Sequence, residues 1–284
     1  MFKIWNQLTK PRVTVLVLAT VFPGLYLGMD GTPSGSLLFY TLFGTYLMSS
    51  ASFILNQYIE RERDAVMYRT KLRPIPSGQI SPRASLLLGI GTTMVAFSIL
   101  YYFVNLLTAL CAFSALVLYV FLYTIWLKPR TEQNIVIGGI SGCIGPMIGY
   151  AAAANQLPMQ AWILFLIIFL WTPAHFWALA IFLKEEYEFA GIPMMPVVSG
   201  VKKTLKQIVL YTIAYSIAVI CFYFADDRMG MIFLITTAIL TIWILAFVYR
   251  LFLTEDKKMA KSFFFFTILH LFIVSVAIVI DSKI

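Results

Sequence analysis

The sequence predicts an all-α polytopic membrane protein, with nine transmembrane helices arranged around a central cavity. Its 284 residues are 61% hydrophobic and only 12% charged, whereas a soluble domain is about half apolar and about a quarter charged. Apolar runs of about 20 residues, long enough to cross a bilayer, recur along the whole chain. The basic residues between these runs fall almost entirely into alternate loops.

The apolar runs place the membrane spans. Nine spans are predicted at Val13–Met29, Leu37–Leu55, Ser85–Val104, Leu107–Trp126, Ile135–Ala154, Trp162–Phe182, Ile208–Ala225, Met231–Leu251 and Phe263–Ile280. Only Asn105 separates the third run from the fourth. A single helix of that length would greatly exceed a hydrocarbon core of ~30 Å, so we predict two helices joined by a tight turn.

The distribution of positive charge predicts the orientation. If the N-terminus lies inside, all of the 21 Lys and Arg residues except Arg228 and Lys283 fall in inside segments. This is the positive-inside pattern, and it places the C-terminus outside. The net charge of +8 therefore does not indicate a nucleic-acid partner. Two inside loops are long, residues 57–84 and 183–207, and we expect one integral-membrane domain over residues 1–284.

The first long loop begins with an acidic ladder at the end of a predicted helix. Asn56, Glu60 and Asp64 are four residues apart, so they share one helical face. Their oxygen atoms suit Mg²⁺, which also takes phosphate oxygens as ligands. Cations that can meet the remaining phosphate charge follow in the chain, and they are Arg69, Lys71 and Arg73. We predict a Mg²⁺–diphosphate site, with the metal on the ladder.

The second long loop follows a span that contains a proline. Pro173 is expected to kink or open that span, and freed carbonyls are tolerated where they line a cavity. His175 follows, and either packing or contact with a substrate explains it equally well. A short inside turn carries Lys128 and Arg130, which serve either as membrane anchors or as further ligands of a diphosphate or carboxylate.

These motifs resemble the UbiA-type membrane prenyltransferases, and most closely their haem O synthase branch. The first stretch reads NQYIERERD at residues 56–64 and RTKLRP at residues 69–74. The second reads WTPAHFWALAIF at residues 171–182 and AGIPMMPVV at residues 190–198. Nine helices with long second and sixth connections fit the same family.

The sequence departs from the general family pattern in places. The family has an Asp-rich second motif, where this chain has Lys184, Glu185, Glu186 and Tyr187. That difference weakens the case for a second Mg²⁺. Glu60 stands where the family usually has Asp, and Gln57 stands where Asp or Asn is common. We therefore expect Asn56, Glu60 and Asp64, but not Gln57, to hold the metal.

The resemblance implies a reaction and its participants. Farnesyl diphosphate and haem b would give haem O, with Mg²⁺ as cofactor. The implied catalytic residues are Asn56, Glu60, Asp64, Arg69 and Arg73, and the implied diphosphate-binding residues are Arg69, Lys71, Arg73, Lys128 and Arg130. The implied haem-binding residues are His175, Lys184, Tyr187 and Lys202. Further expected partners are membrane lipid and a haem A synthase or terminal oxidase assembly. The expected location is a bacterial cytoplasmic membrane, since no transit-peptide bias is visible.

Two alternatives stay open at this point. The first is a prenyltransferase for a quinone-ring or other aromatic acceptor, because the first motif serves any prenyl diphosphate. The second is a transporter whose proline-broken sixth helix forms a site at the membrane midplane. The charges gather at one membrane face instead of the midplane, which favours the enzyme over the transporter.

Overall fold

A computed structural model describes residues 2–283, with the backbone alone for Phe2, and this part of the chain is helical without any strand. The helices are α1 (Phe2–Thr9), α2 (Pro11–Leu27), α3 (Gly35–Val66), α4 (Pro82–Phe103), α5 (Leu106–Leu127), α6 (Asn134–Ala154), α7 (Met159–Phe182), α8 (Lys184–Phe189), α9 (Met195–Val198), α10 (Val201–Ala225), α11 (Met231–Thr254) and α12 (Lys257–Asp281). The predicted all-α fold is confirmed.

Eight helices within residues 2–283 are long and apolar enough to cross a membrane. They are α3, α4, α5, α6, α7, α10, α11 and α12. A ninth span is reached only if α1 and α2, which meet at an angle of 47°, are counted as one bent segment. The count of nine spans and the inside position of the N-terminus therefore stay predictions.

The predicted tight turn at Asn105 is present. Helix α4 ends at Phe103 and α5 begins at Leu106. The Oδ1 atom of Asn105 accepts a hydrogen bond of 2.8 Å from the Thr108 backbone N–H, which is the usual role of an asparagine at a helix start. Its Nδ2 atom donates to the Ala151 carbonyl at 2.8 Å. The turn is thus fixed to α6 as well.

The buried apolar side chains form two main clusters. One contains Met48 and Ile148 and joins α3, α4, α5 and α6. The other contains Trp177 and Phe263 and joins α7, α10, α11 and α12. A cavity of about 530 Å³ is lined by side chains from α2, α3, α5, α6, α7 and α12. Helices α3, α5 and α6 of the first cluster and helices α7 and α12 of the second therefore also form part of the cavity wall.

Helices α2 and α6 cross with their backbones in contact. A Cβ atom added at Gly24 would lie 1.9 Å from the Pro146 carbonyl oxygen. A Cβ atom added at Gly149 would lie 2.1 Å from the Val21 carbonyl oxygen. Small residues allow such close helix crossings in membranes. This crossing fixes α2, one wall of the cavity, against α6.

Substitution of Gly149 by Ala is expected to destabilise the protein. The added methyl group meets backbone rather than a movable side chain, so α2 and α6 must separate, which typically costs about 1–3 kcal/mol. Thermal unfolding in detergent measures the loss. Gly142→Ala on the same helix is the control, because its Cβ atom would meet nothing within 4 Å. Equal unfolding temperatures for the two variants would contradict the close crossing.

Polar contacts tie the helices together at the end of the bundle remote from the two long loops. Arg228 donates to both carboxylate oxygens of Asp226, at 2.8 and 2.6 Å, and to the Leu27 carbonyl at 2.6 Å. The Oδ2 atom of Asp281 accepts from the Gly230 backbone N–H at 2.7 Å. These contacts join the end of α2, the start of α11 and the end of α12.

Candidate active site

The acidic ladder lies where α3 reaches the end of the bundle that carries the two long loops, which we call the charged face. Helix α3 has 32 residues and so is about 48 Å long, well over the ~30 Å of a hydrocarbon core. Its last turns carry Asn56, Glu60 and Asp64, which are 2%, 6% and 3% exposed. The predicted ladder is therefore helical and buried as a unit.

Both carboxylates of the ladder form ion pairs with cations from other segments. Lys128 Nζ lies 2.5 Å from Glu60 Oε1, and Arg73 Nη1 lies 2.6 Å from Asp64 Oδ2. Buried carboxylates need such partners, because burial without them strongly disfavours the charged form. Each pair uses one carboxylate oxygen and leaves the other oxygen of the same side chain outside the pair. The cluster thus contains two buried carboxylates, each with one cation beside it.

Asn56 is oriented by an unusual segment of α5. From Leu118 to Leu127 this helix is π-helical, a wide geometry that is frequent at functional sites. Within it, Thr124 Oγ1 donates to the Tyr119 carbonyl at 2.8 Å and accepts from Asn56 Nδ2 at 3.1 Å. Since the amide nitrogen is occupied in this way, Oδ1 is the atom of Asn56 that remains for a ligand.

The ladder lies beside the charged end of the cavity. Arg73, which pairs with Asp64, lines the cavity, whereas Lys128 and the ladder residues themselves are not in its wall. Arg69 and Arg73 line this end together with Lys10, Tyr119 and Tyr123. Away from it the wall becomes largely apolar, with the side chains of Val17, Met48, Leu116, Ile148 and Leu271. One cavity therefore offers cations at one end and an apolar wall along its length.

Two predicted diphosphate ligands lie elsewhere. Lys71 is exposed, with its Nζ 4.9 Å from the centre of the Tyr68 ring. Arg130 is also exposed and donates to the carbonyls of Ile125 and Trp126, both at 2.9 Å. Neither side chain lines the cavity. A diphosphate role for these two residues stays a prediction without support from their positions.

The second long loop approaches the ladder through α8. Arg69 Nε lies 3.8 Å from Glu186 Oε2, and the positive charge of Lys128 acts on the Tyr187 hydroxyl. Burial raises the pKa of that hydroxyl. Helix α8 thus packs beside the charged end of the cavity.

His175 lies in the wall of the same cavity. Its ring stacks between Trp171 and Phe264, with ring centres 4.1 and 4.2 Å away. Its Nδ1 atom lies 2.8 Å from Thr267 Oγ1, and that hydroxyl also donates to the Phe264 carbonyl at 2.7 Å. With its single proton used there, the hydroxyl accepts from Nδ1–H, and Nε2 is the ring atom with a free lone pair.

The other predicted haem ligands are not in the cavity wall. Lys184 begins α8, and Lys202 is exposed in the first turn of α10. The structure therefore brings His175 to the cavity and Tyr187 beside the ladder, and leaves these two lysines outside. Their haem-binding roles stay predictions.

The ladder fits a magnesium ion that is completed by a substrate. Within residues 2–283 no group of three or more His, Cys, Asp or Glu side chains is arranged to hold a metal ion. Asn56, Glu60 and Asp64 supply only two carboxylates and one amide. Mg²⁺ is commonly bound by one or two carboxylates together with substrate phosphates. The donor set therefore suits Mg²⁺ that arrives with a diphosphate.

Part of this site could not be predicted from the sequence. Lys10 is one of several basic residues near the N-terminus, yet it lines the cavity with Arg69 and Arg73. Thr124 and the tyrosines of the π-helical segment lie in an apolar run that gave no sign of a role. The i, i+4 spacing of Tyr119 and Tyr123 is the one signal that placed them on a common face.

Known proteins resemble this chain along its whole length. The model of the UbiA prenyltransferase family matches residues 17–269. Protoheme IX farnesyltransferase of Leptospira biflexa is 76% identical over 284 residues, which covers 100% of both chains. The protein of that name from Leptospira interrogans is 60% identical and covers 100% of this chain and 98% of the relative. The one from Trichodesmium erythraeum is 40% identical, with 99% and 86% covered.

Solved structures share the fold at low sequence identity. A structure concerning digeranylgeranylglyceryl phosphate synthase has a TM-score of 0.79 and 18% identity, and covers 99% of this chain and 98% of its own. A UbiA homologue from Archaeoglobus fulgidus bound to GPP and Mg²⁺ has a TM-score of 0.71 and 16% identity, with 97% and 99% covered. With bacterial relatives and long apolar helices, this chain is a multi-pass bacterial membrane protein. It belongs to the UbiA prenyltransferase family.

Proposed function

We propose that the chain, as one integral-membrane domain over residues 1–284, transfers the farnesyl group of farnesyl diphosphate to a vinyl group of haem b and so forms haem O. The observation that supports this most is the buried ladder with its two ion pairs, which lies beside the charged end of a largely apolar cavity. The full-length identity to proteins named protoheme IX farnesyltransferase supports the choice of donor and acceptor.

The charged end of the cavity is proposed to bind the diphosphate. Asn56, Glu60 and Asp64 would hold Mg²⁺, and bound Mg²⁺ would offset the negative charge that grows on the leaving group. Arg69 and Arg73 would bind the phosphate oxygens directly, and guanidinium groups match phosphate geometry with paired hydrogen bonds. Cations aimed at developing charge in a site that excludes water are the usual main source of such catalysis.

The apolar length of the cavity is proposed to hold the farnesyl chain and the reacting carbons. The bond between C1 and the diphosphate oxygen breaks, and its electron pair leaves with the diphosphate. The vinyl double bond then donates its electron pair to C1, which forms the new carbon–carbon bond. A water oxygen bonds to the other vinyl carbon and loses a proton. Tyr119 and Tyr123 line the cavity, and their rings would stabilise the allylic cation.

The haem is proposed to contact His175, whose ring is fixed by stacking and by Thr267 so that Nε2 is the free nitrogen. Such a nitrogen can bind the haem iron or the edge of the porphyrin. Tyr187 is proposed to contact the haem from α8. Cations near the charged face, Lys184 and Lys202 among them, would bind the propionates. The product is proposed to pass to a haem A synthase or terminal oxidase assembly.

Replacement of His175 by Ala is expected to weaken haem b binding about tenfold, since a single well-placed contact of 1–2 kcal/mol has that effect. The KM for haem should rise more than the KM for farnesyl diphosphate. The matched control is His270→Ala, because His270 hydrogen-bonds to Tyr215 at 3.0 Å and does not line the cavity. Wild-type turnover and haem affinity in His175→Ala would remove this role.

The proposed reaction is tested with membranes that contain the chain, from a host that lacks haem O. These membranes receive farnesyl diphosphate, Mg²⁺ and either haem b or 4-hydroxybenzoate, and products are separated and identified by mass. Hydroxyethylfarnesyl haem from the first mixture supports the proposal. A prenylated hydroxybenzoate from the second, with haem b unchanged in the first, would favour the aromatic-acceptor alternative instead. Family membership already argues against a transporter.

A further inference from the structure

Lys10 occupies the corner between α1 and α2 in an unusual way. Its backbone is left-handed, with φ 48° and ψ 58°, a conformation that normally favours glycine at the end of a helix. Only two other non-glycine residues within 2–283 have a positive φ, Asn155 and Glu255. Both of those side chains are exposed. Lys10 differs because its side chain is partly buried and lines the cavity.

The ammonium group of Lys10 lies among charges without an ion-pair partner of its own. Its Nζ atom is 4.9 Å from the centre of the Phe53 ring. The charges of Arg73 and Lys128 act on it unfavourably, and those of Glu60 and Asp64 act on it favourably. Among residues 2–283, no carboxylate oxygen lies within 4.0 Å of it. The two nearby carboxylates, Asp64 and Glu60, are paired with Arg73 and Lys128. A partly buried cation in such surroundings is stabilised by an added anion.

The corner is fastened to the helix that carries the acidic ladder. Gln57 Nε2 on α3 donates to the carbonyls of Gln7 and Leu8, at 3.2 and 2.9 Å. Thr14 Oγ1 donates to the Thr9 carbonyl at 3.0 Å. The amide of Gln57 thus holds the end of α1, and the position of Lys10 is fixed relative to the ladder.

We propose that Lys10 is a further diphosphate-binding residue, whose ammonium group contacts the diphosphate oxygens of the prenyl donor. This inference rests on the proposed function. It places one cation on the α2 side of the cavity, in addition to Arg69 and Arg73 from the loop after α3. The left-handed corner directs the side chain into the cavity, and the ladder's own ion pairs leave its charge available for the substrate.

The test measures binding without any acceptor. Purified protein in lipid nanodiscs with Mg²⁺ is titrated with farnesyl thiolodiphosphate, an inert donor analogue, and separately with farnesol. The main variant is Lys10→Gly, which removes the charge while suiting the left-handed backbone, so that folding is preserved. Lys10→Arg keeps the positive charge, and arginine adopts the left-handed backbone at the same free-energy cost as lysine. Lys3→Met, a basic residue of α1 with an exposed side chain, is the control.

In Lys10→Gly, affinity for the thiolodiphosphate is expected to fall about 10- to 100-fold, the effect of losing a hydrogen bond between charged groups. Farnesol binding should not change, and Lys10→Arg should recover most of the affinity. Wild-type affinity in Lys10→Gly, or an equal loss in Lys3→Met, would overturn the proposal. Because no haem is present, these results stand apart from the acceptor: a chain that makes no haem O can still show the Lys10 effect.

Discussion

Asp64→Asn is expected to lower kcat/KM for farnesyl diphosphate by about 100-fold or more, because metal-assisted stabilisation of a leaving group is worth several kcal/mol. The substitution keeps the size of a side chain that is 3% exposed. It removes the negative charge that pairs with Arg73 at 2.6 Å and one proposed ligand of Mg²⁺. Initial rates of product formation at several Mg²⁺ concentrations measure the effect.

The matched control for this substitution is Glu62→Gln. Glu62 lies on α3 between the ladder residues, but its side chain is 85% exposed and contacts only Arg61 as an ion pair. Its loss of charge should leave the rate within about twofold, since surface ion pairs contribute little. Equal rate losses in Asp64→Asn and Glu62→Gln would show that general loop charge, and not the buried ladder, supports catalysis.

Lys128→Met is expected to cause the largest loss of stability. Glu60 then keeps a buried carboxylate without its partner, and breaking a buried ion pair in this way costs about 3–5 kcal/mol. The two side chains are 15% and 6% exposed, so solvent screens the pair only weakly. The change in the free energy of unfolding is measured by denaturation in mixed micelles.

The double variant Lys128→Met with Glu60→Gln separates stability from function. It removes both charges, so it should recover most of the stability lost in the single variant. It should not recover activity, because Glu60 is also a proposed ligand of Mg²⁺. A double variant that is as unstable as Lys128→Met would mean that the pair is not what holds this part of the structure together.

The acidic ladder could be predicted because its information is local. Four-residue spacing within one helix determines which side chains share a face, and Asn56, Glu60 and Asp64 are indeed buried together. The pairing of Asp64 with Arg73 is also nearly local, since the two are nine residues apart. The apolar runs of about 20 residues were equally sufficient to predict a polytopic helical fold.

Contacts between distant segments could not be predicted from the sequence. Glu60 and Lys128 are 68 residues apart, and nothing in their own neighbourhoods selects one cation over the others. The π-helical geometry that brings Thr124 to Asn56 depends on packing between α3 and α5. Gln57 illustrates the same limit. No role in the metal site was predicted for it, and only the folded structure shows that it donates to carbonyls of α1.

The acceptor end of the proposed site also depends on contacts between distant segments. His175 drew attention through Pro173, but its orientation is set by Thr267, 92 residues away. The exposed lysines of the second long loop carry charge in the expected region of the chain, yet only the folded structure decides which side chains reach the cavity. Charge in a loop therefore predicts an individual contact poorly.

If Mg²⁺ on the acidic ladder promotes ionisation of farnesyl diphosphate, and haem b and water then capture the farnesyl cation, one labelled reaction should show both captures in a single product. Deuterated farnesyl diphosphate, haem b and Mg²⁺ are incubated with the chain in ¹⁸O-water, and the haems are analysed by mass. We predict one haem product that carries both the deuterated farnesyl group and one ¹⁸O atom. Release of labelled farnesol with haem b unchanged would show that water captures the farnesyl group and that haem b is not the acceptor.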